Sequence, residues 1–338
     1  MDIRDILKER ILVLDGAMGT MIQRHKLQEE DFRNEELKDH PVILKGNNDL
    51  LSITRPDVIK DIHAAYFSAG ADIVETNTFG STWVAQADYK LEDWVYRINF
   101  ESAKIAKEVA DEFTKNEPNK PRFVAGSMGP TNRLASMSPN VNDPGFRAIN
   151  FEQLKQAFSD QAKALLDGGA DLLLVETITD TLNAKAALMA IDEIAEERGI
   201  KIPIMVSGTI TDASGRILSG QNTEAFLISV SHLDLLSIGL NCALGARELK
   251  PYLNVLSSKS DFNISAHPNA GLPNEFGEYD ETPEDMVGQI KEFLDDDLIN
   301  IIGGCCGTTP DHISAIAELA SNYSPRVVGS RQSTVDSE

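Results

Sequence analysis

Cysteine is scarce: there are three in 338 residues. An odd, small number builds no disulfide framework and points to a reducing compartment, the cytoplasm. Positive charge is also short. Lys and Arg total 31 against 53 Asp and Glu, a formal net charge of -22. This balance excludes a nucleic-acid partner, which needs clustered cations on the phosphates, and an anionic membrane surface. No run approaches the roughly 18 apolar residues of a membrane span. The N-terminus, MDIRDILKERILVLDG, carries charge from its second residue and lacks the apolar stretch of a secretory signal. No internal stretch is rich enough in Pro, Gly or Ser to act as a linker.

With 42% hydrophobic residues the chain can fill a large core. Eight short apolar runs recur: ILVLD (11–15), DIVET (72–76), FVAGS (123–127), DLLLVET (171–177), IPIMVSG (202–208), SIGLNC (237–242), NISAH (263–267) and NIIGG (300–304). Their Ile, Val and Leu content suits strands covered on both faces. Helical patterns lie between them. TRPDVIKDIHAAYFSAG has Pro56 in its first turn and Gly70 at its end, and FEQLKQAFSDQAKALLDGG repeats the plan to Gly169. Each leads into a GAD, apolar strand, Glu-Thr sequence, so the chain contains a quasi-repeat. Helices are also expected from Thr282-Pro283 and from Thr309-Pro310.

Strict alternation of eight strands with helices predicts a (β/α)8 TIM barrel over residues 1–325, followed by a polar, mobile tail at 326–338. The runner-up is an open doubly wound sheet. Its dinucleotide-binding form is disfavoured because the first turn, DGAMGTM, is not G-x-G-x-x-G.

The thiols stand at strand ends. Cys242 closes the sixth run, and Cys305 and Cys306 follow the eighth in GGCCGTTP. In a barrel both places fall on the rim that carries catalytic residues. Adjacent side chains on a regular strand face opposite ways, so both cysteines reach one point only if the backbone turns there; Gly303, Gly304 and Gly307 are expected to supply the unusual dihedrals. Three thiolates suit zinc, with a fourth position left for a reactant. The alternatives are a strained disulfide between neighbours or three unrelated buried thiols. At an open position a water would become a nucleophile, whereas a thiol would lose its proton. Three thiolate ligands leave the metal a weak Lewis acid, which favours sulfur alkylation over hydrolysis.

Other rim positions fit an amino acid. Asp15, Glu75 and Glu176 end strands and could hold an ammonium group, or could serve only to bond loops together. The turn at 15–21 could cradle a carboxylate with its N–H groups, or be a turn with no ligand. His267 reads as structural, Asn241 and Asn269 as orienting groups, and Met18 and Met21 as packing. The loop-like segment 129–150 could cap the site or meet a partner.

The strings LDGAMGTMIQ, LKGNNDLLSIT, GADIVETNTF, GPTNR, SGTITDASGRILSGQ, GLNCALG, HPNAGLPN and GGCCGTTP together resemble the homocysteine-binding domain of cobalamin-dependent methionine synthase. The similarity runs from about Leu12 to His312. The wider family is the zinc-dependent homocysteine S-methyltransferases, betaine–homocysteine methyltransferase among them. The resemblance implies that Cys242, Cys305 and Cys306 bind zinc and that homocysteine sulfur takes the remaining position. It implies that Asp15 and Glu176 bind the amino group, that Gly16, Ala17, Met18, Gly19 and Thr20 receive the carboxylate, and that Asn269 fills the metal's open position without substrate. Methylcobalamin on a separate cobalamin- and folate-binding module is the implied donor. A cobalamin-binding D-x-H-x-x-G is missing, the nearest string being DIHAAY at 61–66, so this polypeptide is expected to carry the acceptor half, as a fragment or a stand-alone subunit. The alternatives are a methyltransferase using S-methylmethionine or betaine, and a non-catalytic zinc- or thiol-binding module that docks to a larger synthase.

Overall fold

The computed structural model describes residues 2–212 and 214–329. Eight strands form: β1 (Leu12–Val13), β2 (Ile73–Glu75), β3 (Phe123–Met128), β4 (Leu172–Ile178), β5 (Ile204–Gly208), β6 (Ser237–Gly245), β7 (Asn263–Asn269) and β8 (Ile301–Ile302). All neighbours are parallel, in the order β1-β8-β7-β6-β5-β4-β3-β2. The ring closes where Leu14 bridges Ile73, with Asp72 N–H on Val13 O at 2.7 Å and Asp15 N–H on Ile73 O at 3.0 Å. The architecture is therefore the (β/α)8 barrel and not the open sheet.

Two-residue alternation sorts the strands into two apolar layers. Leu12, Leu14, Ile73, Ala125, Leu172, Leu174, Met205 and Ile301 fill the barrel, and Ile3, Ile6 and Leu7 of the helix Ile3–Glu9 pack against them. Val13, Val74, Val124, Leu173, Val175, Val206 and Ile238 face the outer helices. The same alternation continued toward the C-terminal ends brings Glu75, Ser127, Glu176, Asn241 and His267 inward. The barrel interior is thus apolar at its base and polar at its mouth.

The GAD repeat has a structural cause. Gly70 and Gly169 take φ of +103° to +108°, the left-handed conformation that ends a helix and suits glycine. Ala71 and Ala170 then donate back to Tyr66 O and Leu165 O, each at 3.1 Å. The aspartates accept the N–H of the neighbouring strand: Asp72 Oδ2 from Val13 and Asp171 Oδ2 from Val124, both at 2.9 Å. Arg10 grips Asp72 with two 2.8 Å bonds, and Lys107 reaches Asp171 at 2.9 Å.

Arg326, placed by the sequence reading at the start of the tail, is buried. It bonds Ser257 Oγ, Ser257 O, Ser260 O and Phe262 O. Four acceptors hold its guanidinium, so the packed chain extends at least to this residue. Positions 330–338 lie outside the described residues. Among the described residues no helix is long and apolar enough to cross a membrane.

His63, in the helix Pro56–Ser68, is fully buried with neither ring nitrogen bonded. Burial pushes it down to about 4, against about 6.5 unfolded. The native state then binds fewer protons than the unfolded one between those values, so His63 destabilises the fold as pH falls through 6.5. Buried Asp49, pushed up to about 6 by burial, acts in the opposite direction. A His63→Leu variant isolates the histidine. Relative to the parent it should gain about 2 kcal/mol between pH 7.5 and 5, measurable by urea unfolding at both pH values; a constant difference would remove the histidine from the acid response.

Candidate metal and substrate site

Two bulges shape the mouth. On β4 the register slips between Val175 and Ile178, and on β6 between Asn241 and Gly245. Thr177, Cys242 and Ala243 take φ of +53°, +58° and +56° in consequence. Non-glycine residues rarely adopt this conformation, and they do so where the surroundings over-determine it. Asn241 is the clamp: its Oδ1 accepts from Thr177 N (3.0 Å) and Ser207 Oγ (2.6 Å), and its Nδ2 donates to Thr177 Oγ1 (2.8 Å). It ties the bulge beside Glu176 to the bulge that carries Cys242.

The third turn is GGCCGTTP. Cys305 N–H donates to Pro268 O at 2.8 Å, and Cys305 O accepts from Thr308 N and Oγ1. Cys306 O accepts from Ala270 N at 2.9 Å. Only Gly307 has positive φ, +82°. Gly303 and Gly304 serve a different purpose from the one expected: a Cβ on Gly303 would stand 2.7 Å from Leu14 Cβ, and one on Gly304 2.4 Å from Thr308 Oγ1. They are glycines because neighbouring chain passes too close for a side chain.

The three sulfurs meet. Cys242, Cys305 and Cys306 are free cysteines whose Sγ atoms lie within 4.8 Å of one another, and Cys242 Sγ is 3.7 Å from Cys306 Sγ. Neither a neighbour disulfide nor unrelated thiols describes this. A tetrahedral ion with about 2.3 Å bonds to sulfur sets its ligands about 3.8 Å apart, so the cluster fits a metal of that kind. Its electrostatics ask for a cation. Hydrogen bonds from Cys242 and Cys305 hold Cys306 down at about 3, while bonds to Cys242 and Cys306, with burial, push Cys305 far above the thiol range. Three thiols this close cannot all ionise without a positive charge between them.

A cavity of about 980 Å³ opens above the cluster, at the upper end for small-molecule clefts. Gly16, Ala17, Met18, Gly19 and Thr20 all line it, as do Glu176 and the three cysteines. In that turn Ala17 N–H is engaged by Thr308 Oγ1 at 3.1 Å and Thr20 Oγ1 accepts from Gly307 N at 3.2 Å, so it is joined to the cysteine loop. Asp15 is buried; its Oδ2 accepts Glu75 N–H at 3.0 Å and its Oδ1 has no partner. Glu176, also buried, accepts from Ser127 Oγ. Burial raises both carboxyls; for Asp15 the Glu75 N–H pulls the other way and the Glu176 charge adds to the rise. Asn269 is buried at the end of β7 with Oδ1 unpartnered, but it is not among the residues that line the cavity. His267 lines it, and burial pushes its ring down to about 3, so it is neutral. Met18 and Met21 pack against the core.

Tyr279 was missed from sequence. It lines the cavity with the three cysteines, and its Cβ would lie 2.3 Å from any Cβ on Gly307. It comes from the turn-rich stretch after β7, where no periodicity marks which residue folds back. Ser127 was legible in principle, since alternation from Ala125 turns it inward. The segment 129–150 has no helix or strand; Pro130 and Asn132 line the cavity, and Asn183 pins the loop through Ala135 N (2.9 Å), Thr131 Oγ1 (3.1 Å) and Arg133 O (2.9 Å).

Among solved structures, the homocysteine methyltransferase MmuM from Escherichia coli is similar in fold. Its metallated form shows a TM-score of 0.71 at 22% identity, covering 93% of this chain and 97% of that one. Its oxidized form gives 0.70 at 23% identity with the same coverage. A sequence model of the family named homocysteine S-methyltransferase matches residues 12–320. With that match spanning the whole barrel, this chain belongs to the homocysteine S-methyltransferase family and is a methyltransferase.

Proposed function

We propose that the chain methylates homocysteine to methionine at a zinc ion held by Cys242, Cys305 and Cys306. The observation that carries this reading is one cavity in which three convergent thiols stand with the buried carboxyl of Glu176. Zinc bound there would supply the positive charge that turns a coordinated thiol into a thiolate at neutral pH. Asp15 and Glu176 hold the amino group, and the turn from Gly16 to Thr20 receives the carboxylate. Asn269, close in sequence to the cysteine loop's partner Pro268, stays a candidate to complete the metal without substrate. The homocysteine sulfur attacks the methyl carbon in line: a sulfur–carbon bond forms, and the donor's bond to its methyl breaks with the electron pair leaving on the donor. Neutral, buried His267 cannot act as an acid, and once the thiol has lost its proton no protein base is needed.

Methylcobalamin, presented by a separate cobalamin- and folate-binding module, is the donor we favour, and the cytoplasm the location. Exposed apolar residues on the rim support a macromolecular donor: Phe79 after β2, Val141 and Phe146 after β3, Leu272 and Phe276 after β7. Such grouping suits a protein contact more than a small solute. The test is methyl transfer by the zinc-loaded protein with methylcobalamin, S-methylmethionine and betaine in turn. Transfer from methylcobalamin is expected; turnover with the small donors alone would overturn the donor assignment. Zinc binding without any response to homocysteine would leave only a docking module.

A further inference from the structure

Buried polar atoms normally find a partner, and leaving one unpaired costs free energy. Among the described residues the unpaired ones include Asp15 Oδ1, Asn269 Oδ1, both ring nitrogens of His63 and His267 Nε2. Of all the side chains with such an atom, His267 alone lines the cavity. Other histidines pair their rings within the fold. His312 meets Thr309 Oγ1 at 3.0 Å and Glu281 O at 2.9 Å, and His40 meets Tyr89 O at 2.8 Å. His63 does not, but it lies on a helix outside the cavity lining. His267 is 2% exposed, so the cavity is the place from which a partner for Nε2 can come.

The register of the barrel indicates which ligand group that is. On one side His267 pairs with Asn241 of β6. On the other, Ala266 pairs with Ile302 of β8, which sets Gly303 beside His267. Ile302 pairs in turn with Val13 of β1, whose strand leads into the turn Gly16–Thr20. Gly303 has no side chain, and Gly304 N–H donates to Asp15 O at 3.0 Å. From His267 to that turn, β8 therefore places no side chain on the inner face. Toward Glu176 the way is filled: the inward Asn241 and Ser207 stand between, bonded to each other at 2.6 Å. The turn is also short of donors, because Ala17 N–H is engaged by Thr308 Oγ1, while a carboxylate offers about four lone-pair positions.

We propose that His267 is a substrate-binding residue whose Nε2–H donates to the carboxylate of homocysteine, completing the site that the turn Gly16–Thr20 begins. A histidine ring carries an N–H in either charge state, and in the neutral ring the carboxylate selects the tautomer that bears it on Nε2. The cavity then favours thiols that carry a carboxylate over simple aminothiols. This rests on the reading that homocysteine binds here, and it assigns a residue to a part of the substrate that otherwise meets backbone alone.

Two analogues divide the substrate. 4-Mercaptobutanoate keeps the carboxylate and lacks the amino group, and 3-aminopropanethiol keeps the amino group and lacks the carboxylate. Calorimetric titration of the zinc-loaded parent and of His267→Leu gives the affinity for each. Losing one hydrogen bond to a charged group should weaken homocysteine and 4-mercaptobutanoate about 10- to 100-fold. 3-Aminopropanethiol should bind the variant as it binds the parent, with zinc retained. His267→Gln, which restores an N–H, should recover most of the lost affinity. In the parent itself the ring-nitrogen resonance of His267, identified by its loss in His267→Gln, should shift with the two carboxylates and stay with 3-aminopropanethiol. Equal weakening of all three ligands would make His267 a packing residue, and weakening confined to the two amines would aim it at the ammonium group. Either result, or unchanged homocysteine affinity, would overturn the assignment while leaving zinc-bound homocysteine intact. Failure of all three thiols to bind the zinc-loaded parent would instead sink the proposed function.

Discussion

Zinc binding should fall by about a thousandfold in Cys305→Ala, and methyl transfer should disappear. Apparent zinc free energies at sites rich in protein ligands run to about 10–16 kcal/mol, so one thiolate in a small set contributes about 4 kcal/mol, close to three decades. The fold should survive. Cys305 uses its backbone, not its sulfur, to join Pro268 and Thr308, and alanine preserves all three bonds. Metal content after dialysis against a competing chelator measures the loss, with the thermal midpoint as a control. Full zinc retention would show that the ion is held elsewhere and would dismantle the proposed chemistry.

Glu176→Ala should separate substrate from metal. Its carboxylate is buried beside the thiols, yet it is no part of the sulfur cluster. Removing one partner of a buried charged hydrogen bond costs about 2–3 kcal/mol, so homocysteine should bind about 30- to 100-fold more weakly while zinc stays bound. KM should rise more than kcat falls, because the lost contact is made equally in the ground and transition states. 4-Mercaptobutanoate, with no ammonium to lose, should bind the variant as it binds the parent. Loss of zinc from Glu176→Ala, or unchanged homocysteine affinity, would refute the assignment.

The elements of the barrel were legible because their physics is local. Ile, Val and Leu runs of strand length, Pro in first turns and Gly at helix ends each report on a few neighbouring residues, and all eight strands formed where those runs stand. The glycines around the cysteines were legible as a signal and misread as a mechanism. A glycine demanded by φ and one demanded by a neighbour look the same in a sequence: Leu14, which excludes a side chain at Gly303, lies far away along the chain, and Thr308, four positions past Gly304, reaches it only because the turn folds back. Tyr279 left no pattern, since its contact with Gly307 depends on how an irregular loop folds back.

By itself the sequence determined the alternation of strands and helices, the placing of thiols and carboxyls at strand ends, and the acidic character of the chain. The tertiary structure decided that the strands close into a ring and that Cys242 comes to 3.7 Å from Cys306 across 64 positions. The reason is one of range. Propensity and periodicity act over a turn or a strand, whereas ring closure and the two bulges clamped by Asn241 depend on the packing of the whole barrel at once.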